Sequence, residues 1–291
     1  MRSAATVLLA LLSLCAVSRA GESGSPTLDE EFLKQERIYR GRGVLTAEGY
    51  VTDRSLLGYA LTLSPEFDRE LAGLGPDDRW LDVGTGEGEA ILDYHSSRYD
   101  LIHAKGREQR GEKAQAVGIS IEDRRSHHWE QVAASLAPDK IRYLFARRLR
   151  EYSTDELGQF QVISDVFGGF SYARDLSLFV VKAIGFLRLN GGFYTVLQDT
   201  RLEDGSNRPY YAGSPFLTAI TNADGSEGSV CSWLKSIACV EVACEAKKDW
   251  RPVIETYSIR KVCSDVRVPG LELTHYQAGT PPERGYRRLR E

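Results

Sequence analysis

The segment Asp82-Val-Gly-Thr-Gly-Glu-Gly88 combines two acids with three closely spaced glycines. Gly84 and Gly86 permit a sharp turn, and without Cβ atoms they let a ligand touch the backbone. A helix that begins directly after such a turn presents unpaired N–H groups toward that ligand. These residue types and their spacing predict a loop that binds a small molecule through its backbone, beside the carboxylate of Asp82.

The spacing of the glycines also discriminates between ligands. A dinucleotide-binding loop requires Gly-x-Gly-x-x-Gly/Ala, but counting from Gly84 and Gly86 the third position is Glu89. A P-loop is excluded because no Gly-Lys-Ser/Thr follows the glycines. The third glycine is Gly88, so the spacing is Gly-x-Gly-x-Gly.

Short apolar strands alternate with helices around this loop. A strand over 79–83 leads into it, and a helix begins near Glu87. The further strands are predicted at 116–121, 141–145, 160–164 and 193–197. Asp175 is suited to cap a helix whose apolar positions run from Leu176 to Leu187. Such alternation predicts a parallel sheet that helices cover on both faces.

Other patterns flank this α/β region. Apolar residues at helical spacing predict a helix over 55–74, and 198–228 is predicted to be a long loop with at most a short helix near 216–220. Strands at 236–245 and 254–262 are predicted to form an antiparallel hairpin. The tail after Pro269 is predicted to be loose.

The segment 80–88 resembles motif I of the class I S-adenosylmethionine-dependent methyltransferases at every defining position. Phe160-Gln-Val-Ile-Ser-Asp165 resembles their fourth motif, where a strand ends in an acid beside the methyl donor. The resemblance extends from about Tyr50 to Val262. It implies a Rossmann-like α/β fold with a seven-stranded, mostly parallel sheet, helices on both faces and a C-terminal antiparallel hairpin.

The resemblance also implies S-adenosyl-L-methionine as the cofactor. The residues implied to cradle its methionine portion are Asp82, Gly84, Thr85, Gly86, Glu87 and Gly88. Glu122 is assigned to the ribose hydroxyls, although the family's usual position holds Ser120. Asp165 is the candidate catalytic residue next to the methyl donor. The chain departs from the family after the third strand, where Ala146-Arg-Arg148 lacks the usual acid near adenine.

Three functions stay open on this basis. The first is a methyltransferase that acts on an unknown small-molecule or protein acceptor. The second is a non-catalytic exported binding protein that keeps the fold, and the third is a polyamine-synthase-like aminopropyltransferase. Asp165-Val-Phe-Gly168 lacks the Asn/Asp-Pro-Pro-aromatic sequence of nucleic-acid amino methyltransferases. Tyr50 and Phe167 are candidates to cover the pocket, and no histidine spacing selects a general base.

Composition and the N-terminus bear on partners and compartment. The net charge is −4, and it becomes more negative without Arg2 and Arg19, which disfavours nucleic acid as a partner. Residues 1–20 have the pattern of a signal peptide cleaved after Ala20, so a secreted or periplasmic protein without stable membrane insertion is expected. Residues 21–30 then form a flexible leader.

The remaining chain divides into a helical segment, 31–75, a methyltransferase-like domain, 76–268, and a C-terminal tail, 269–291. All cysteines outside the predicted signal peptide lie between Cys231 and Cys263. Their even number in an exported chain predicts two disulfides, whose connectivity the sequence leaves open. No CxxC spacing is present, so no metal site is expected.

Overall fold

The computed structural model describes residues 54–96, 113–198, 215–249, 253–277 and 282–290. The predicted signal peptide at 1–20, the leader at 21–30 and the pocket residue Tyr50 lie outside these ranges. Of the helices within them, none combines the length and the hydropathy required to span a bilayer.

The described chain alternates helices and strands. The helices are α1 (Leu56–Thr62), α2 (Pro65–Gly73), α3 (Glu89–His95), α4 (His127–Ser135), α5 (Thr154–Leu157), α6 (Gly169–Tyr172), α7 (Leu176–Gly185) and α8 (Val230–Leu234). The strands are β1 (Arg79–Val83), β2 (Gln115–Ile119), β3 (Ile141–Leu144), β4 (Phe160–Asp165), β5 (Leu187–Gln198), β6 (Leu217–Thr221), β7 (Glu227–Gly228), β8 (Val240–Lys247), β9 (Ile254–Lys261), β10 (Leu271–Gln277) and β11 (Glu283–Arg288).

Seven strands form the main sheet, in the order β3-β2-β1-β4-β5-β9-β8. Strands β1 to β5 pair in parallel, whereas β9 runs antiparallel to both β5 and β8. From β1 the chain adds β2 and β3 on one side of the sheet, and it then returns to add β4 and β5 on the other side. Such a switch point between β1 and β4 leaves a crevice at the carboxyl ends of the strands. The Rossmann-like fold expected from the sequence is confirmed, including the antiparallel β8–β9 hairpin.

Apolar side chains fill both faces of this sheet. On one face Phe67 of α2 packs edge-on against Trp80 and Tyr194, with ring centroids 6.4 and 5.6 Å apart. On the other face Phe170 of α6 packs against Phe193 of β5. Burial on both sides explains why the parallel strands read as continuous apolar runs.

The predicted single helix over 55–74 is wrong in one respect, because two helices occupy it. Pro65 opens α2, and Ser64 before it is extended, with a ψ of 156°. A proline disfavours helical backbone at the residue that precedes it, so α1 ends first. The resulting corner lets α1 turn toward the end of β1.

The boundary between α7 and β5 also differs from the prediction. The helix ends at Gly185 rather than Leu187, and β5 begins at Leu187 rather than Phe193. Leu187 already pairs with Phe160, and the register shifts before Gly192 pairs with Val162. Asn190, with a φ of 64°, therefore lies within an irregular strand and not in a turn before it.

A second sheet corrects two further predictions. Its order is β10-β11-β6-β7, so the expected loop at 198–228 contains β6 and β7, and the expected loose tail contains β10 and β11. Strand β6 pairs in parallel with β11. The strand Glu283–Arg288 reads as polar, but its inward side chains are Arg284 and Tyr286, both buried. Strands of this sheet come from both sides of the predicted boundary at residue 268.

The cysteines form two disulfides, as predicted, and the structure resolves their connectivity. Cys231 of α8 bonds to Cys244 of β8, with Cα atoms 6.1 Å apart. Cys239 bonds to Cys263, which joins the two outer ends of the β8–β9 hairpin. The prediction began β8 at Ser236, but that residue belongs to the turn after α8.

We expect reduction of both disulfides to lower the melting temperature while ligand affinity stays nearly unchanged. Each bond restricts the unfolded chain, and loops of this length correspond to roughly 2–4 kcal/mol per bond. Calorimetry with and without reductant measures the shift, and a double variant of Cys231 and Cys244 to serine separates the two bonds. An unchanged melting temperature after complete reduction would contradict the expectation.

Candidate functional site

The glycine loop lies at the carboxyl end of β1, beside the crevice. Gly84, Gly86 and Gly88 all have positive φ, at 78°, 59° and 87°. The amides of Gly84 and Thr85 both donate to the carbonyl of Ile119 at the end of β2, at 2.9 and 3.1 Å. Residues other than glycine are strained at positive φ, so the sequence of the loop follows from its backbone path.

Packing within the protein also requires two of these glycines. A Cβ on Gly84 would lie 2.6 Å from the Cα of Gly168, which follows β4. A Cβ on Gly88 would lie 2.4 Å from the ring of Trp129 on α4. Gly84 therefore brings the loop into backbone contact with the β4–α6 connection, a reason for glycine that the motif alone does not reveal.

Asp82 supports the loop from below. Its side chain is fully buried, and it accepts hydrogen bonds from the hydroxyls of Tyr59 and Ser164 at 3.0 and 2.6 Å. Burial raises the pKa of Asp82 to about 6, against the lowering effect of Ser164, Thr85 and Tyr59. Although Thr85 lies close enough to favour the charged carboxylate, its buried hydroxyl has no partner of regular hydrogen-bond geometry.

Tyr59 is a site residue that the sequence analysis missed. It lies on α1, whose N-terminal Leu56 amide donates to Asp93 of α3 at 2.9 Å. Lys247 holds the other end of α1 by donating to the carbonyls of Leu61 and Leu63. A buried tyrosine at a helical position carries no signal of a partner on β1, so only the fold identifies the contact.

Asp165 lies on the opposite side of the sheet from Asp82. Asp82 pairs in register with Ser164, and successive side chains of a strand point to opposite faces. The two oxygens of Asp165 accept the amides of Gly168 and Phe170, at 3.0 and 2.9 Å. The carboxylate thus organises the β4–α6 loop, and its predicted contact with a methyl donor stays a prediction.

The electrostatic surroundings of Asp165 are unusual for a carboxylate. Burial raises its pKa to about 7, and the charge of Asp82 acts in the same direction. The amides of Phe170 and Gly168 and the charge of Arg284 act against this increase.

Glu122 follows β2 at the same edge as the glycine loop. Its carboxylate forms an ion pair with Arg124 at 3.0 Å, and its side chain is 29% exposed. Tyr143 of β3 donates to the carbonyl of Gly86 at 2.6 Å and accepts from the amide of Arg124 at 3.3 Å. Tyr143 therefore links the segment that follows β2 to the glycine loop. The negative charge of Glu122 in that segment is already balanced by Arg124.

The edge after β3 is basic. Phe145 is exposed, and Arg125 lies over its ring at 5.4 Å while it also pairs with Asp123. Arg147 pairs with Glu156 at 2.8 Å. Residues 145–148 contain no carboxylate that could recognise adenine, which is the departure from the family motif noted in the sequence.

The residues fit S-adenosylmethionine better at one end of the molecule than at the other. The positive-φ backbone of the loop from Gly84 to Gly88 suits the close approach of the polar methionine portion. One carboxylate oxygen of Glu122 pairs with Arg124, and the predicted role of Glu122 toward the ribose hydroxyls stays a prediction. Asp82 lies buried beneath the loop, where its two oxygens accept hydrogen bonds from the hydroxyls of Tyr59 and Ser164.

No protein-family model and no curated protein sequence matches the chain. Similar solved structures include the N-methyltransferase NodS from Bradyrhizobium japonicum WM9 in complex with S-adenosyl-L-homocysteine, at 12% identity and a TM-score of 0.46, over 77% of this chain and 98% of that one. A 1,6-didemethyltoxoflavin-N1-methyltransferase from Burkholderia thailandensis gives 15% identity and a TM-score of 0.46, over 83% and 93%.

A structure described as a possible exported protein from Bordetella parapertussis gives 15% identity and a TM-score of 0.44, over 80% of each chain. At these identities and scores the similarities carry no argument about function. The strand order and the antiparallel β9 define the fold by themselves as the Rossmann-like fold that the motif I resemblance implies.

Proposed function

We propose that this protein binds S-adenosylmethionine on its glycine loop and transfers the methyl group to a small-molecule or protein acceptor. The observation that carries the proposal is the position of the loop, at the switch point between β1 and β4 with Asp82 buried beneath it. Ligands of open α/β sheets bind in this crevice.

The chemistry requires little covalent participation by the protein. When bound, S-adenosylmethionine supplies a methyl group on a positively charged sulfur. The nucleophile of the acceptor bonds to the methyl carbon in line with the carbon–sulfur bond, and the sulfur leaves as that bond breaks. The chain contributes by holding the two reactants in that line, which accounts for most of the acceleration in such reactions. Gly84 and Gly86 would hold the methionine portion, and Glu122 the ribose. Asp165 fixes the loop that faces them.

We expect Gly86→Val to abolish binding of S-adenosylhomocysteine. Valine is strained at a φ of 59°, and its branched side chain would occupy the approach to the loop backbone. Titration calorimetry of the purified protein measures the loss. Gly225→Val is the matched control, because Gly225 has a φ of 87° in the exposed β6–β7 turn and its Cβ would meet open space.

The pair of variants separates binding from strain. The control is expected to bear a similar cost in stability and to bind like the wild-type protein. Equal affinity of the Gly86 variant and the wild-type protein would remove the loop from the proposed binding site. A wild-type protein that binds neither S-adenosylmethionine nor S-adenosylhomocysteine would refute the proposed function as a whole.

A non-catalytic binding protein is the second candidate. It is favoured by Asp165, which is buried and whose two oxygens each accept a backbone amide, so the carboxylate already has a structural role in holding the β4–α6 loop. Incubation of the protein and cell extract with methyl-labelled donor distinguishes the two. Label that enters a product with the wild-type protein but not with Gly86→Val supports transfer, and binding without any labelled product supports the second candidate.

We also propose that the protein is exported. Two disulfides are typical of proteins that fold in an oxidising compartment, which agrees with the signal-peptide pattern of residues 1–20. N-terminal sequencing of the protein from outside the cytoplasm should begin at Gly21. A cytosolic protein that retains Met1 would contradict export.

A further inference from the structure

Arg284 of β11 is a buried cation at the centre of the second sheet, with 1% of its surface exposed. It donates through Nε to the hydroxyl of Thr218 at 2.8 Å and through Nη2 to the carbonyl of Phe170 at 2.7 Å, while Nη1 bonds to the carbonyl of Ala173. Burial of a guanidinium is costly unless its donors are satisfied. Here main-chain oxygens of α6 and the residue after it satisfy two of the three nitrogens.

The same peptide segment connects Arg284 to Asp165. The amide of Phe170 donates to Asp165, and the carbonyl of Phe170 accepts from Arg284. Arg284 is also the positive charge that lowers the pKa of the Asp165 carboxylate against its burial. Asp165 thus binds this segment through its amides, and Arg284 binds it through its carbonyls.

Asp165 in turn connects this segment to the glycine loop. Its Oδ1 accepts the amide of Gly168 at 3.0 Å. A Cβ built on Gly168 would lie 2.3 Å from the carbonyl oxygen of Val83 and 3.1 Å from the Cα of Gly84. The Gly168 backbone therefore rests directly on the first residues of the glycine loop, with no side chain between them.

We infer that Arg284 is a positioning residue, which fixes the glycine loop through Phe170, Asp165 and Gly168. The expected effect of Arg284 on ligand affinity rests on the proposed function, whereas its effect on the position of the loop does not. The second sheet then serves as a support for the binding site, although none of its residues lies in the loop itself. A residue that only fills the core would destabilise the protein without a selective effect on this loop.

The test uses Arg284→Gln and Arg284→Lys in the full chain. Glutamine removes the charge and most of the donors, whereas lysine keeps the charge but cannot reproduce the planar fork. Arg287→Gln is the matched control on the same strand, because Arg287 is exposed and pairs with Glu272 across the sheet surface. Trp233→Phe is a second control, because it removes a buried hydrogen bond, from the indole to the carbonyl of Pro269, in which Arg284 and Phe170 take no part.

The first measurement is amide hydrogen exchange by NMR in the ligand-free protein. For Arg284→Gln we expect the amides of Gly168 and Phe170 to exchange at least about tenfold faster than in either control, because the charge-assisted hydrogen bond from Arg284 to the carbonyl of Phe170 is lost. The lysine variant should lie between. Exchange at these two amides that is no faster than in Trp233→Phe would overturn the inference.

The second measurement is the affinity for S-adenosylhomocysteine. We expect it to weaken about tenfold in Arg284→Gln and to be unchanged in Arg287→Gln. If the wild-type protein binds and Arg284→Gln binds with the same affinity, Arg284 has only a role in the core, and this result would also overturn the inference. If the wild-type protein does not bind, the proposed function fails, and hydrogen exchange still decides the role of Arg284.

Discussion

Gly168→Ala is expected to destabilise the protein by about 3 kcal/mol or more and to abolish ligand binding. The added Cβ would lie 2.3 Å from the carbonyl oxygen of Val83 and 3.1 Å from the Cα of Gly84. All of these neighbours are backbone atoms, so no change of rotamer relieves the overlap. Relief requires β1 and the β4–α6 loop to separate, which displaces the glycine loop.

Gly185→Ala provides the matched control for this variant. Gly185 lies in the last turn of α7, and a Cβ there would meet nothing within 4 Å. Alanine is favoured over glycine in a helix, so stability should rise by up to about 1 kcal/mol. Urea unfolding measures both variants. A Gly168 variant as stable as the wild-type protein would show that the loop contact is loose.

The stability difference between the wild-type protein and Asp165→Asn is expected to depend on pH. In the folded protein the pKa of Asp165 is raised to about 7 from an ordinary value of 3.8. The folded state therefore binds this proton more tightly than the unfolded state does. Between those values the wild-type protein gains stability as pH falls, and asparagine carries no such proton.

The slope of this difference follows from linkage. The wild-type protein should gain on the order of 1 kcal/mol per pH unit relative to Asp165→Asn as pH falls from about 7 to 5. Asp82, whose pKa is about 6, acts in the same direction, and the half-buried His95, whose pKa is lowered to about 4, acts in the opposite one. Both are present in either protein, so the comparison reports Asp165 together with its charge interaction with Asp82.

Unfolding in urea at pH 5, 6, 7 and 8 measures the difference. Asp224→Asn is the control, because the pKa of the exposed Asp224 is lowered by the hydroxyl and amide of Ser226. Its contribution changes only in acid, below its ordinary value, so its difference from the wild-type protein should be constant from pH 5 to 8. A constant difference for Asp165→Asn as well would contradict the raised pKa.

Much of the main sheet could be predicted from the sequence, because its strands are buried on both faces. The predicted strand at 79–83 matches β1, and the prediction at 160–164 stops one residue short of β4. Such strands are short apolar runs between turn residues, and that pattern needs no knowledge of their partners. The glycine loop could likewise be identified without knowledge of its partners, because its backbone path requires glycine at fixed positions.

The second sheet and the contacts of the site could not be predicted in this way. Arg284 is a buried residue of β11, and a buried arginine cannot be distinguished in sequence from an exposed one. The partner of Asp82 on β4 depends on a register between strands that lie 82 positions apart in the chain. Tyr59 reaches Asp82 from α1, a separate helix that ends before the proline that opens α2.

The distance along the chain between the β4–α6 loop and its support has a kinetic consequence. Phe170 and Arg284 are separated by 114 positions, and β6 must already be in place for β11 to pair with it. Contacts of such high sequence separation require closure of a long loop and form slowly. The parallel strands that carry the glycine sequence are closer together along the chain. During refolding, the sheet is therefore expected to assemble before its crevice acquires a fixed shape.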